Sequence, residues 1–187
     1  SENQTSTNIC DIFCETTSTV NMDESFSIAI SQEFYAKKAY LQTASGTKVS
    51  KNSKVLGSQN IHITGNSIIR EGVMLRGDLA LMRLGKFVTI KENTVLHPPT
   101  RRSKGMLAYY PISIGDYVVI GRDCVISAAQ IGSNVIVGDG CIIGKRCIIK
   151  DNAIVLPGSV LPPDTNVAPF TSVGGCPGMF LGELPES

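Results

Sequence analysis

"IGDYVVIGRDCVISAAQIGSNVIVGDGCIIGKRCIIKDNAIV", residues 114–155, places an aliphatic residue at almost every sixth position. Glycine often follows that residue, and a small or branched residue usually stands fifth in the block. The same phase is present upstream in VSKNSKVLGSQN (49–60), IREGVMLRGDLA (69–80) and LGKFVTIKENTV (84–95), so about sixteen blocks keep the pattern. A period maintained over so much of the chain is typical of a repeat architecture.

A six-residue period does not fit an amphipathic α-helix, whose apolar residues recur at i, i+3, i+4 and i+7. Six residues do accommodate one short strand and a corner, so three blocks complete one turn, of about 18 residues, of a triangular coil. Successive turns then lie about 4.8 Å apart, like neighbouring strands of a sheet. The aliphatic residue that opens each block points inward and contributes about 1.5–3 kcal/mol when it is fully buried. The sequence therefore predicts an all-β protein built as a parallel β-helix.

Glycine at the second position of a block is expected to form the corner, because a residue without Cβ adopts backbone conformations that other residues resist. Glu92 lies at an outward turn position of its block. We therefore expect replacement of Glu92 by Ala to change stability by less than about 0.5 kcal/mol.

Cysteine placement favours thiols over disulfides. Cys124, Cys141 and Cys147 all stand fifth in their blocks, at a position that takes small inward side chains, and are expected to be buried thiols. This state agrees with a reducing compartment. Cys10 and Cys14 form a C-x-x-x-C pair in a polar segment, and without a second pair nearby they are expected to be exposed and unpaired.

The chain has 187 residues, 42% of them hydrophobic, and a formal net charge of +1. This balance gives no general reason to bind nucleic acid or an anionic membrane, and no apolar run approaches the roughly 20 residues that cross a bilayer. The first 34 residues hold six acidic residues and no Lys or Arg, which is unlike a signal or transit peptide and indicates the cytosol. Residues 1–39 are expected to be a polar, largely disordered extension, and residues 40–187 a β-helix domain with an inserted loop at 98–113.

The segment LRGDLALMRLGKFVTIKENTVLH, residues 75–97, is similar to the γ-class carbonic anhydrases, which carry an R-G-D, an I-x-I-G, a turn and a V-L-H in this order. The resemblance implies that His97 corresponds to the first zinc ligand, and that Arg122 and Ser127 stand where that family has its other two histidines. Catalytic zinc needs three protein ligands and an open position for water, and Arg122 would place a positive charge at the cation site. We therefore expect no metal, no cofactor and no catalytic residue.

His62, the only other histidine, lies 35 residues before His97, which is close to two turns of the coil. On the same face it would be roughly 10 Å away along the axis, too far to share a zinc ion with His97.

The blocks also resemble the hexapeptide-repeat family, which implies a left-handed coil, opposite to the usual crossover rule. That family includes acyltransferases with a His general base, but the chain lacks the extended loop that generally carries this His. A γ-class hydratase and an acyltransferase remain the alternatives to a non-catalytic role.

Several segments that the hexapeptide pattern does not require are similar to the dynactin subunit 5 family. They are YLQTASGTKVS (40–50), SAAQIGSNVIVG (127–138), LPPDTNVAPFTSV (161–173) and CPGMFLGELPE (176–186). The resemblance implies a non-enzymatic subunit of the dynactin pointed-end complex, located in the cytoplasm at the cytoskeleton, that supports dynein-driven microtubule transport. It also implies dynactin subunit 6, dynactin subunit 4, the actin-related pointed-end protein and dynein cargo adaptors as partners.

The loop PPTRRSKGMLAYYPIS, residues 98–113, interrupts the hexapeptide phase. A solvated loop is one interpretation, because corners of a β-helix tolerate insertions and basic residues suit a surface. Two adjacent tyrosines instead favour a position that a neighbouring turn or a partner covers, and Arg and Tyr are over-represented in interface hot spots. The candidate partner-binding residues are therefore Arg101, Arg102, Lys104, Tyr109 and Tyr110.

Overall fold

The computed structural model describes residues 39–43, 45–103 and 106–185, which form a left-handed parallel β-helix of about six turns. The predicted all-β fold and its hexapeptide period are thereby confirmed. The expected N-terminal extension, with Cys10 and Cys14, lies outside the described residues. In the described ranges, no helix has the length and apolar character needed to span a membrane.

Short strands alternate with corners along the chain. In order they are β1 (Tyr40–Gln42), β2 (Lys48–Ser50), β3 (Lys54–Leu56), β4 (Ile61–Gly65), β5 (Ile68–Ile69), β6 (Met74–Arg76), β7 (Met82–Lys86), β8 (Thr89–Ile90), β9 (Val95–Leu96), β10 (Thr100–Ser103), β11 (Met106–Tyr109), β12 (Ile112–Ile114), β13 (Val119–Ile120), β14 (Val125–Ile126), β15 (Gln130–Ile131), β16 (Ile136–Val137), β17 (Ile142–Ile143), β18 (Ile148–Ile149), β19 (Ile154–Val155), β20 (Val160–Leu161), β21 (Asn166–Val167), β22 (Thr171–Gly174) and β23 (Met179–Glu183). A 3₁₀ turn, Ser58–Asn60, lies between β3 and β4.

Three sheets of parallel strands form the sides of the coil, and we name them walls A, B and C. Wall A contains β2-β5-β8-β13-β16-β19-β22, wall B contains β3-β6-β9-β14-β17-β20, and wall C contains β4-β7-β12-β15-β18-β21. The chain visits A, B and C in that order, so neighbouring strands of one wall are one turn apart. Antiparallel strands close both ends of wall A, β1 against β2 and β23 against β22. We name the three edges AB, BC and CA after the walls they join.

The aliphatic residue that opens each block is buried, as the period predicts. In β17 the outward-facing Ile142 is 42% exposed, whereas Ile143 is 1% exposed. Ile143 stacks in register between Ile126 of the preceding turn and Leu161 of the next. The buried openers of the repeat at 114–155 are Ile114, Ile120, Ile126, Ile131, Val137, Ile143, Ile149 and Val155.

Small residues at the fifth position fill the inside corners of the coil. Cys124, Cys141 and Cys147 are fully buried thiols, which confirms their predicted state. The Cys124 S–H donates to the carbonyl oxygen of Gly138 at 3.1 Å, and Cys141 and Cys147 make equivalent contacts at 3.1 Å and 3.0 Å. These weak donors therefore reach main-chain oxygens of the following turn. A larger side chain at the same position would push that turn away.

Glycine at the second position has a different role from the one that the sequence predicted. Left-handed backbone, with φ between 52° and 68°, occurs instead at the fourth position of successive blocks, at Tyr117, Asp123, Asn134, Gly140 and Arg146. A second-position Cβ on Gly138 would come within 2.4 Å of the backbone nitrogen of Pro157 in the next turn. Glycine is therefore required there because adjacent turns approach closely, and the expectation that it forms the corner is wrong.

Candidate functional site

The residues considered for a zinc site do not come together. His97 and Ser127 follow β9 and β14, paired strands of wall B, and so lie in adjacent turns on edge BC. Arg122 follows β13 on edge AB, and His62 lies within β4 of wall C, on a different side of the coil from His97. In the part of the chain that the structure describes, no group of three or more His, Cys, Asp or Glu side chains could hold a metal ion.

The ring of His97 is held at the base of the insertion. Its Nδ1 donates to the carbonyl oxygen of Pro98 at 2.8 Å, and its centroid lies 6.3 Å from that of Tyr109. Nearby on edge BC, Nη2 of Arg76 lies 2.9 Å from Oδ2 of Asp78. The hydrogen bond from Arg76 holds the pKa of the Asp78 carboxyl below its ordinary value. The R-G-D at 76–78 thus forms a local ion pair within one corner.

Arg122 takes part in an ion-pair cluster on edge AB. Its Nε lies 2.9 Å from Oε2 of Glu92, and Nη1 of Arg70 donates to Oε1 of Glu92 at 2.6 Å. The Glu92 side chain is 22% exposed, and its carboxylate joins arginines of the preceding and following turns. The partners of Glu92 therefore lead us to expect less tolerance of substitution than its outward turn position alone indicated.

Two opposing effects set the protonation of Glu92. Burial alone would raise the pKa of its carboxyl, but the hydrogen bond from Arg70 and the charges of Arg70 and Arg122 outweigh burial and lower this pKa. The cluster borders a polar cleft of about 590 Å³, also lined by Asn52, Glu71 and Asn93. Because both guanidinium groups already neutralise the carboxylate, the cluster is suited to holding turns together rather than to proton transfer.

The insertion at 98–113 contains an antiparallel hairpin on edge BC. β10 pairs with β11 over four residue pairs, beginning at Thr100↔Tyr109, and the two strands form a sheet of their own, separate from the three walls. Nη1 of Arg146 donates to the carbonyl oxygen of Thr100 at 3.3 Å. Arg146 is itself fixed by a bidentate ion pair with Asp164, one turn further along the coil, in which Nε lies 2.6 Å from Oδ1. The base of the hairpin is thereby tied to two later turns.

Four of the five candidate partner-binding residues are described, and all four are exposed; Lys104 lies outside the described residues. Tyr109 and Tyr110 are 36% and 41% exposed. Arg101 is opposite Ala108 in the hairpin and Arg102 is opposite Leu107, so the two arginines face opposite sides of the ribbon. The structure therefore places these four residues in or directly beside one hairpin, with one arginine on each of its faces.

One exposed feature was missed by sequence reasoning. Phe87 and Tyr117 stack on edge CA, with ring centroids 5.0 Å apart and planes inclined by 15°. Both occupy the fourth position of their blocks in left-handed backbone, which bulky residues rarely adopt. They are 44% and 58% exposed. The signal available in the sequence was an aromatic fourth residue in LGKF and IGDY, whose blocks lie one turn apart on the same edge.

Known proteins resemble this chain at the level of family and of fold. The sequence model described as Dynactin subunit 5 matches residues 28–187. The chain is 48% identical over 104 residues to dynactin subunit 5 of Dictyostelium discoideum, which covers 56% of this chain and 52% of that protein. It is 32% identical over 89 residues to a probable carbonic anhydrase of Methanocaldococcus jannaschii, which covers 48% of this chain and 50% of that protein. The chain spans about half the length of these curated relatives.

A solved structure shares the fold. It is a mutant of AntD, an N-acyltransferase from Bacillus cereus, in complex with dTDP-4-amino-4,6-dideoxyglucose and coenzyme A. The TM-score is 0.64, with 80% of this chain and 87% of that chain covered. Because the two sequences are 15% identical, this likeness concerns the coil alone.

Proposed function

The chain belongs to the dynactin subunit 5 family, and on that basis we propose that it is a non-catalytic, structural and adaptor-binding subunit of the dynactin pointed-end complex. The observation that carries the proposal is the family match over residues 28–187, a range that contains every described turn of the coil. In this role the subunit supports dynein-driven microtubule transport of cargo, and it acts in the cytoplasm at the cytoskeleton.

The proposed partners are dynactin subunit 6, dynactin subunit 4, the actin-related pointed-end protein and dynein cargo adaptors. The ends of the coil support assembly with other subunits. Among the described residues, wall B ends at β3 and β20 and wall C at β4 and β21, with no further strand paired beyond them. Val160 of β20 is already bonded through its main chain to Gly175 and Gly178, but edge strands such as β3, β4 and β21 present main-chain donors and acceptors that a neighbouring subunit can cover.

A non-catalytic role is supported by the positions that correspond to zinc ligands. Arg122 is engaged with Glu92 on edge AB, Ser127 lies on edge BC, and a guanidinium cannot ligate zinc at neutral pH. The γ-class hydratase is the second candidate, favoured by the 32% identity to a probable carbonic anhydrase. Metal analysis and an assay of carbon dioxide hydration separate the two candidates.

The hairpin is the proposed contact with a pointed-end subunit or an adaptor, through Arg101, Arg102, Tyr109 and Tyr110, together with Lys104. Its support is the combination of exposed basic and aromatic side chains on an element tied to the coil by Arg146.

Affinity purification of the tagged chain from cells of its own organism tests the function. Dynactin pointed-end subunits are expected at comparable molar amounts, and their absence would contradict the proposal. A variant with Arg101, Arg102, Tyr109 and Tyr110 changed to Ala is expected to melt normally but to lose one partner. Arg83→Ala, at an exposed basic residue in β7 of wall C, is the matched control.

A further inference from the structure

The hairpin formed by β10 and β11 has a structure that calls for a covering partner. It is a two-stranded sheet that pairs with none of the three walls, so both of its long edges carry main-chain groups without a strand partner among the described residues. Two-stranded hairpins are at best marginally stable in water without packing. The coil holds the base through the Thr100 carbonyl and contacts Tyr109 through His97.

The charged residues of the insertion are all basic. Residues 98–113 include three basic residues and no Asp or Glu. Arg101 and Arg102 are both exposed, and neither forms an ion pair with a carboxylate of the described residues. The acidic group that Arg101 approaches is Asp164, whose pKa is lowered chiefly by the hydrogen bond from Arg146 and in smaller part by Arg101. Because Asp164 already binds Arg146 in bidentate fashion, both hairpin guanidinium groups keep donors for an external anion.

Apolar side chains stand beside these charges. Leu107 is 55% exposed and lies directly opposite Arg102, while Met106 is 78% exposed and lies opposite Ser103. Tyr109 shares the face of Leu107 and is 36% exposed. One face of the ribbon therefore carries, in sequence, a guanidinium, an aliphatic side chain and a partly covered aromatic ring. A surface of that composition complements a peptide that alternates acidic and apolar residues.

We infer that the partner held by the hairpin is an acidic protein segment, in which an Asp or Glu side chain pairs with Arg102 while apolar side chains cover Leu107 and Tyr109, on the same face of the ribbon. This inference rests on the proposed function, since it assumes that the hairpin is a docking element, and it adds the chemistry of the bound segment. The overall net charge of +1 argues against a nucleic acid or an anionic membrane as the ligand, because either would require a broad basic field.

The test uses the full chain in assembled complexes. A photo-crosslinking amino acid replaces Leu107, complexes are purified through a tag, and the cross-linked peptide is sequenced by mass spectrometry at low and at high salt. The expected product is a peptide rich in Asp and Glu, whose yield falls several-fold when the Debye length shortens from about 10 Å to about 3 Å. Changing Arg102 to Glu should lower the yield at least about tenfold.

Two further variants keep the result interpretable. Changing Arg102 to Lys preserves charge and should retain most of the cross-link. Arg83→Glu, on wall C, should leave the cross-link unchanged, and thermal melts of all variants confirm folding. A cross-link to a neutral or basic peptide, to lipid or to nucleic acid, or no cross-link, would overturn the inference even if dynactin subunits are recovered normally. An acidic peptide from a protein outside dynactin, with no dynactin subunit recovered, would instead support the inference and contradict the proposed function.

Discussion

The phase of the repeat can be tested within one strand, because β17 offers the same residue type facing inward and outward. Ile143 is 1% exposed and stacked between Ile126 and Leu161, whereas Ile142 is 42% exposed on the outer face of wall B. Ile→Ala removes three carbon groups, worth roughly 0.8 kcal/mol each when fully buried, and leaves a cavity in a close-packed column. We expect Ile143→Ala to cost about 3–5 kcal/mol and Ile142→Ala about 1 kcal/mol.

The comparison isolates burial from local propensity. Both changes replace Ile by Ala in adjacent positions of one strand, so any loss of β-propensity is shared between them. Equilibrium urea unfolding followed by far-ultraviolet circular dichroism gives the free energy of unfolding, provided that the m value is unchanged between variants. If the two free energies agreed within about 0.5 kcal/mol, or if Ile142→Ala were the more costly change, the assignment of inward and outward positions would be wrong.

Three other predictions concern the corners and edges of the coil. Gly138→Ala should destabilise the coil by about 1–3 kcal/mol because its Cβ would meet Pro157. Gly140→Asn should be nearly neutral in thermal melts, because Gly140 has left-handed backbone and open space around it. Equal losses of stability in the two variants would refute the argument that adjacent turns approach closely at Gly138. Glu92→Gln should cost about 1–2 kcal/mol at pH 7. Because the folded-state pKa of Glu92 lies below its ordinary value of 4.5, the stabilisation is present above that value and should disappear as the pH falls through the folded-state pKa. A difference from the wild type that did not shrink as the pH was lowered below 4.5 would contradict this. Purified protein should hold no stoichiometric zinc by elemental analysis, and one equivalent that is lost on His97→Ala would overturn the non-catalytic role.

The coil could be predicted from the sequence because its determinant is periodic. An aliphatic residue at every sixth position has one inward direction, so Ile143 and its equivalents were identified without three-dimensional information. The role of Gly138 could not be obtained in the same way. Its constraint comes from Pro157 in the next turn, at a distance that depends on register between turns. A sequence read block by block shows that glycine recurs, but not which neighbouring atoms exclude a Cβ.

The same reason explains why the ion pairs of Glu92 were not predicted. Within its own block the residue occupies an outward turn position, and outward turn residues are usually tolerant of substitution. Its partners, Arg70 and Arg122, belong to the preceding and following turns, 22 and 30 residues away. The hairpin was similarly visible only as an interruption of the period. Its anchor, the hydrogen bond from Arg146 to Thr100, joins residues 46 positions apart.

In these cases the charged side chains that interact lie at the edges of the coil, whereas the aliphatic side chains that stabilise it stack in its interior. Residues at one edge lie a turn apart, about 4.8 Å, so a charged residue introduced there finds partners above and below without disturbing the core. Arg122 illustrates the consequence, since its guanidinium joins Glu92 while Cys124, two residues later, still fills the inside corner. An edge residue can thus form an ion pair while the interior of the coil stays unchanged. The proteins that this chain resembles in sequence or in fold include a dynactin subunit, a probable carbonic anhydrase and an N-acyltransferase, so the edges must be compared residue by residue before an activity is carried over.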